Sequence, residues 1–179
     1  MDKLIFRAAT DADTPALVAL VTSAYRGDVS KQGWTTEADM LDGQRIDPEV
    51  LGRDIARERS RIVIVERGAQ LLACAHVADE DGAGYFGMFS VKPDLQGGGV
   101  GKALLAEAER IAAEEWALPT MRMTVIDIRD ELIHFYERRG YRRTGIKKPF
   151  PYGDERYGIP KRDDLRFEIL EKPLDGTST

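Results

Sequence analysis

Only one cysteine, Cys74, stands among the 179 residues, so no internal disulfide can form, and two histidines, His76 and His134, are too far apart to complete a metal cluster with it. No apolar run approaches the ~20 residues of a membrane-spanning helix. The segment Met1-Asp2-Lys3-Leu4-Ile5-Phe6-Arg7 reads straight into a strand without the apolar core of a leader, and a cytoplasmic location is the expectation. A net charge of -5 argues against broad nucleic-acid binding. No metal, no membrane and no nucleic acid are therefore the first expectations. Cys74 lies in the apolar stretch 71–77 and reads as a buried, inert thiol.

What is present is a soluble mixture of 42% hydrophobic and 32% charged residues, long enough for one core but not two. One domain is expected over residues 1–172, with 173–179 a flexible tail. Strands are predicted at 4–8, 61–66, 70–77, 85–91, 121–126, 141–146 and 165–170, the middle three as an antiparallel meander. A helix follows Thr10-Asp11-Ala12-Asp13 and carries Leu17, Leu20, Val21 and Ala24 on one face, ending near Gly27. Others are predicted from Pro48 to Arg59, from Gly98 to Trp116, and from Arg129 to the stop at Gly140. The class is mixed α/β.

The densest signal is the elbow between the strand ending at Val91 and the helix beginning near Gly98. Residues without Cβ let backbone amides converge on an anion there, and the helix adds the positive end of its dipole. A nucleoside-triphosphate loop is excluded, because its first glycine falls on Gln96 and its magnesium-binding hydroxyl position on Ala103. The glycines at 82, 84 and 87 spell a dinucleotide fingerprint but precede a strand, which leaves that mechanism no helix terminus. What remains is Gln96-Gly97-Gly98-Gly99-Val100-Gly101, with the ending Phe135-Tyr136-Glu137-Arg138-Arg139-Gly140-Tyr141 on the following helix. Together these resemble the GNAT superfamily of N-acetyltransferases, whose acyl-CoA signature is Q/R-x-x-G-x-G/A; Gln96, Gly99 and Gly101 fill its fixed positions.

That resemblance covers residues 4–171 and implies a central, twisted, mostly antiparallel sheet of about seven strands flanked by helices. It implies acetyl-CoA as cosubstrate. Backbone donors from Gly97, Gly98, Gly99, Val100, Gly101 and Lys102 would hold its diphosphate, and backbone groups of Phe89, Ser90 and Val91 would pair with its pantetheine arm. Tyr136 matches the family's frequent general acid. A phenol with a reference pKa of about 10 keeps its proton at pH 7 and can donate it to a departing thiolate. Where the family often places an asparagine against the cofactor, this chain, which contains none, has Arg129, whose guanidinium suits phosphate.

The acceptor side is read from the loop 28–43 and the segment 148–153. Glu37, Asp39 and Asp127 are candidate bases, Glu37 foremost, and Trp34, Glu37 and Tyr152 are expected to shape the acceptor pocket. Their mixture of aromatics and acids suggests a small cationic or zwitterionic amine. The basic run Arg138, Arg139, Arg142, Arg143, Lys147 and Lys148 divides between solvated surface and attraction for cofactor phosphates. Transfer to a protein amine, and a CoA-binding module without turnover, are the alternatives. A homodimer is the expectation from the resemblance.

Overall fold

The computed structural model describes residues 3–26, 30–31, 33, 36–43, 45–96, 98–155 and 158–174. Its strands are β1 (Leu4–Ala8), β2 (Leu41–Asp42), β3 (Ser60–Arg67), β4 (Gln70–Glu80), β5 (Ala83–Val91), β6 (Thr120–Ile126), β7 (Arg142–Pro149), β8 (Ile159–Pro160) and β9 (Arg166–Pro173). Its helices are α1 (Thr14–Tyr25), α2 (Pro48–Ala56), α3 (Val100–Arg110) and α4 (Asp130–Glu137). Seven strands form one sheet in the order β1-β3-β4-β5-β6-β9-β7, and β2 and β8 pair separately. This is the mixed, mostly antiparallel sheet flanked by helices that the sequence pattern implies.

Alternation along β3 shows how the sheet acquires two cores. Ile62 and Ile64 face α1 and α2, together with Leu17, Val21 and Leu51, while Val63 and Val65 face α3 with Leu104 and Ala108. A strand buried on both faces reads as a continuous apolar run, and this one does. Cys74 belongs to the first core, fully buried, and burial pushes its thiol up to about 12. The expected inert role fits that setting.

Boundaries differ where side chains or turns intervene. Helix α2 stops at Ala56, because Ser60 Oγ bonds the Asp54 carbonyl at 2.6 Å and Arg59 turns through φ 49°. Strand β9 runs to Pro173, and Leu174 is buried with its N–H on Pro119 O at 2.8 Å, so the chain stays packed beyond the expected start of the tail. The rest of that tail, 175–179, lies outside the described residues.

Two irregularities open the centre of the sheet. The parallel strands β5 and β6 pair only at Gly84–Met121 and Tyr85–Arg122, then separate, while β6 continues on β9 as far as Ile126. On its other side, β5 pairs Ser90 with Cys74 but Gly87 with His76, so Met88 and Phe89 both oppose Ala75; Met88 takes φ 52°. A bulge of this kind bends a strand and re-aims its side chains.

Candidate active site

The glycine elbow sits at the end of β5, and each of its described residues has a distinct task. Gln96 donates from Nε2 to Val91 O at 3.0 Å, bracing the loop against the strand it leaves. Gly99 is the N-cap of α3 at φ 89°, a conformation that favours glycine, and no atom lies within 4 Å of where its Cβ would be. Gly101 is required for packing: a Cβ there would meet Phe89 Cζ at 2.8 Å. Ala103 is bonded to Gly99 O at 3.1 Å, which leaves the preceding amides, Val100 to Lys102, as the helix's first-turn donors. Gly97 lies outside the described residues. Lys102, Arg138 and Arg139 line a cavity of about 350 Å³ beside this turn, so part of the basic run does gather near it. The donors, the open space at Gly99 and the neighbouring cations fit a phosphate-bearing ligand.

Phe89 links the elbow to α4. Its ring touches the Gly101 position on one side, stacks on Phe135 at 5.6 Å and 28°, and lies 6.2 Å from the Tyr136 ring. Tyr136 also makes edge contacts with Phe86 and Tyr141 and is 3% exposed. Among the described residues its hydroxyl has no hydrogen-bond partner. Burial pushes its pKa well above that of a free phenol; Tyr25 and Tyr85 add to this, and Arg129 and Arg45 oppose it. The phenol thus keeps its proton, and it shares an electrostatic field with the acceptor side of the molecule.

On the far side of the β5–β6 opening lies a cavity of about 420 Å³, lined by Arg26, Glu37, Leu41, Arg45, Tyr85, Thr124, Arg129, Lys148, Phe150 and Phe167, among others. Among the described residues Glu37 is its one carboxylate. It accepts from Arg26 at 2.5 Å and Arg129 at 2.9 Å, with Arg45 at 3.8 Å, and is 4% exposed. Burial alone would raise its pKa, but Arg129, Arg45 and Arg26 together hold it below the usual carboxylate range. A carboxylate held this firmly is a poor proton acceptor, so the base role expected of Glu37 does not suit its setting. It anchors guanidinium groups instead. Asp127 is likewise occupied, by Arg166 at 2.5 Å and Lys147 at 3.2 Å, and Asp39 is exposed outside the cavity.

Other expectations are redirected. The Arg129 guanidinium, expected on the cofactor, is turned to Glu37 and lies over the Tyr25 ring at 5.4 Å. Tyr152 does not line the cavity; it is 45% exposed, donates to Arg162 O at 3.1 Å and accepts from Leu165 N at 2.9 Å, while its neighbour Phe150 forms the wall. Trp34 lies outside the described residues. The side chain of Phe89 packs in the core, and its carbonyl accepts from the Tyr25 hydroxyl; Ser90 Oγ donates to Met88 O at 3.1 Å. Arg26, Arg45, Tyr25 and Tyr85 carry no motif and were not legible as site residues. The one available signal was Arg26 itself, a charge directly after the apolar face of α1.

The glycines that spelled a dinucleotide fingerprint are also explained. A Cβ on Gly84 would press on Met121 Sδ at 3.0 Å, where β5 meets β6, and one on Gly87 would overlap the Tyr85 hydroxyl. They make room for packing and not for a nucleotide.

A split, mostly antiparallel seven-stranded sheet with a glycine elbow at the end of its central strand is a fold of the GNAT type. Residues 58–143 match the model of the acetyltransferase (GNAT) domain. No curated protein matches significantly in sequence. Among solved structures, the ribosomal-protein-S18-alanine N-acetyltransferase of Escherichia coli is similar at TM-score 0.70 and 16% identity, over 96% of this chain and 94% of that one. An N-acetyltransferase of Staphylococcus aureus Mu50 gives 0.72 and 10%, over 96% and 98%. A chimeric spermidine N-acetyltransferase from Vibrio cholerae and hSSAT gives 0.67 and 16%, over 97% and 96%. At these identities the likeness concerns the fold, and the two acceptors named, a ribosomal-protein alanine and spermidine, differ in kind. Among the described residues no helix is long and apolar enough to cross a membrane, and no group of three metal-ligating side chains occurs.

Proposed function

We propose that the protein transfers the acetyl group of acetyl-CoA directly to the amine of a small molecule, with Tyr136 as general acid. Three features support this reading: the first-turn donors of the elbow, the Tyr136 phenol joined to that elbow through Phe89, and a cavity lined by Tyr85 of β5 and Thr124 of β6 whose volume of about 420 Å³ suits a small molecule. In this reading the amides of Val100 to Lys102 hold the diphosphate, with Lys102, Arg138 and Arg139 adding positive charge beside it. The edge of β5 that β6 leaves open beyond Tyr85 offers backbone groups to the pantetheine arm, in the stretch that holds Ser90 and Val91. Bound there, acetyl-CoA supplies the thioester that the amine attacks.

The balance of the step is simple. A C–N bond forms, a C–S bond breaks, the attacking nitrogen gives one proton to solvent, and the leaving sulfur takes one from the Tyr136 hydroxyl, which solvent restores. Burial raises the Tyr136 pKa and favours the protonated phenol, the form a general acid requires. Glu37 acts on the acceptor side as the anchor of Arg26 and Arg129, holding the cavity wall in place.

The test is a thiol-release assay with acetyl-CoA against amines of several classes, alongside calorimetry with coenzyme A. Turnover of a small amine that is lost in Tyr136→Phe, with coenzyme A still bound, is the expected result. Turnover only with peptide amines would replace this acceptor class with a protein one. Binding without turnover on any acceptor would leave a CoA-binding module, and absence of binding would remove the reading altogether.

A further inference from the structure

The acceptor cavity is positive although the chain is acidic. Its charged lining among the described residues is Arg26, Arg45, Arg129 and Lys148 against Glu37 alone. The nearest other carboxylates of that region, Asp47 and Asp54, line a separate space of about 200 Å³ that shares Arg45 and Tyr85 with it. Arg26 and Arg129 are committed to Glu37. Arg45 is different. Its approach to Glu37 is 3.8 Å, too long for a hydrogen bond, and among the described residues its guanidinium forms none. It stands over the Tyr25 ring at 4.6 Å with its side chain 28% exposed, at the junction of the two cavities. Lys148, at the rim, has no ion pair among the described residues.

We infer that the acceptor carries an oxyanion besides its amine, a carboxylate or phosphonate that Arg45 grips through its free donor fork with Lys148 closing from the rim. This rests on the acetyltransferase reading above and names the substrate class of the same cavity. The geometry supports it in two ways. A guanidinium seated over an aromatic ring, with its donors unused by hydrogen bonds, is available for bidentate contact with an oxyanion, whereas a polyamine would bring more positive charge into a cavity already in excess. The same excess disfavours the ammonium form of the bound amine and so delivers it as the neutral nucleophile. No strongly basic carboxylate is then needed, consistent with the weak basicity of Glu37. Of the cationic and zwitterionic amines that the aromatics and acids of the sequence suggest, this inference takes the zwitterionic one.

The experiment compares matched amines in the thiol-release assay: phenylalanine with its amide and with phenethylamine, β-alanine with 2-aminoethylphosphonate, and spermidine as the polycation. The carboxylate-bearing member of a pair should exceed its amide by about 100-fold in kcat/KM, the size expected of a charged bidentate contact. The β-alanine and phosphonate arms distinguish a planar from a tetrahedral anion. Arg45→Gln should collapse that ratio to within about fivefold, through KM more than kcat, and Arg45→Lys should restore part of it, while calorimetric affinity for coenzyme A stays unchanged. Should no amine turn over, calorimetry of the same pairs on CoA-saturated protein decides, with tighter binding of the anionic member expected. Equal or better use of the amide or spermidine overturns the inference while leaving the transferase reading intact. Failure of coenzyme A to bind overturns the transferase reading itself.

Discussion

Adding a single methyl group at Gly101 tests whether the elbow and the phenol are mechanically joined through Phe89. The new Cβ would stand 2.8 Å from Phe89 Cζ, 3.4 Å from Cε1 and 3.5 Å from Val91 Cγ2. The phenyl cannot simply swing away, because Phe86 and Phe135 flank it at 5.4 and 5.6 Å and Tyr136 at 6.2 Å. Helix propensity favours alanine by about 1 kcal/mol at most, less in a first turn, whereas overpacking a filled core costs about 1–3 kcal/mol. Overpacking wins, and Gly101→Ala should lower the melting temperature by roughly 2–8 °C. A shift of Phe89 approaching an ångström would also displace Tyr136 and reduce thiol release by about 100-fold. Calorimetric melting and the thiol-release assay measure both effects, and Phe89→Leu combined with Gly101→Ala should recover part of each through a favourable coupling of about 0.5–3 kcal/mol. A Gly101→Ala protein that melts higher and turns over normally would refute the linkage.

Tyr136→Phe should retain the fold and coenzyme A affinity, since its hydroxyl has no hydrogen-bond partner among the described residues, yet lose about 10²–10⁴-fold in kcat. Glu37→Gln, which strips the counter-charge from buried Arg26 and Arg129, should destabilise by about 3–5 kcal/mol in chemical denaturation; no change would mean that the anchor is dispensable. Glu168, held by Arg143, Lys147 and the Gly145 N–H, has its pKa lowered from 4.5 to about 2. A depressed carboxylate contributes stability above its unfolded value and loses it as pH falls through the folded one, so Glu168→Gln should narrow the acid destabilisation between about pH 4.5 and 2. An unaltered acid limb in urea melts at stepped pH would contradict that.

Much of the scaffold was legible because it depends on local periodicity. The unbroken apolar run of β3 and the alternation of its faces required no tertiary information, and neither did the glycine elbow or the stop at Gly140, where φ is 97°. The pairing of β2 with β8 escaped, since two-residue strands carry no period. Tyr152 was misplaced for a related reason: of two adjacent aromatics, Phe150 turns to the cavity and Tyr152 to a loop carbonyl, and sequence spacing does not distinguish them.

By itself, then, the chain's order of apolar, glycine and capping residues determines the main strands, the helices and the phosphate-suited turn, because each depends on neighbours within a few positions. The character of the acceptor cavity was decided only in three dimensions. Arg26, Glu37, Arg45, Arg129 and Lys148 come from separate segments, and their net sign near one point opposes the chain's total of -5. Electrostatic energy depends on distance and burial, and composition contains neither.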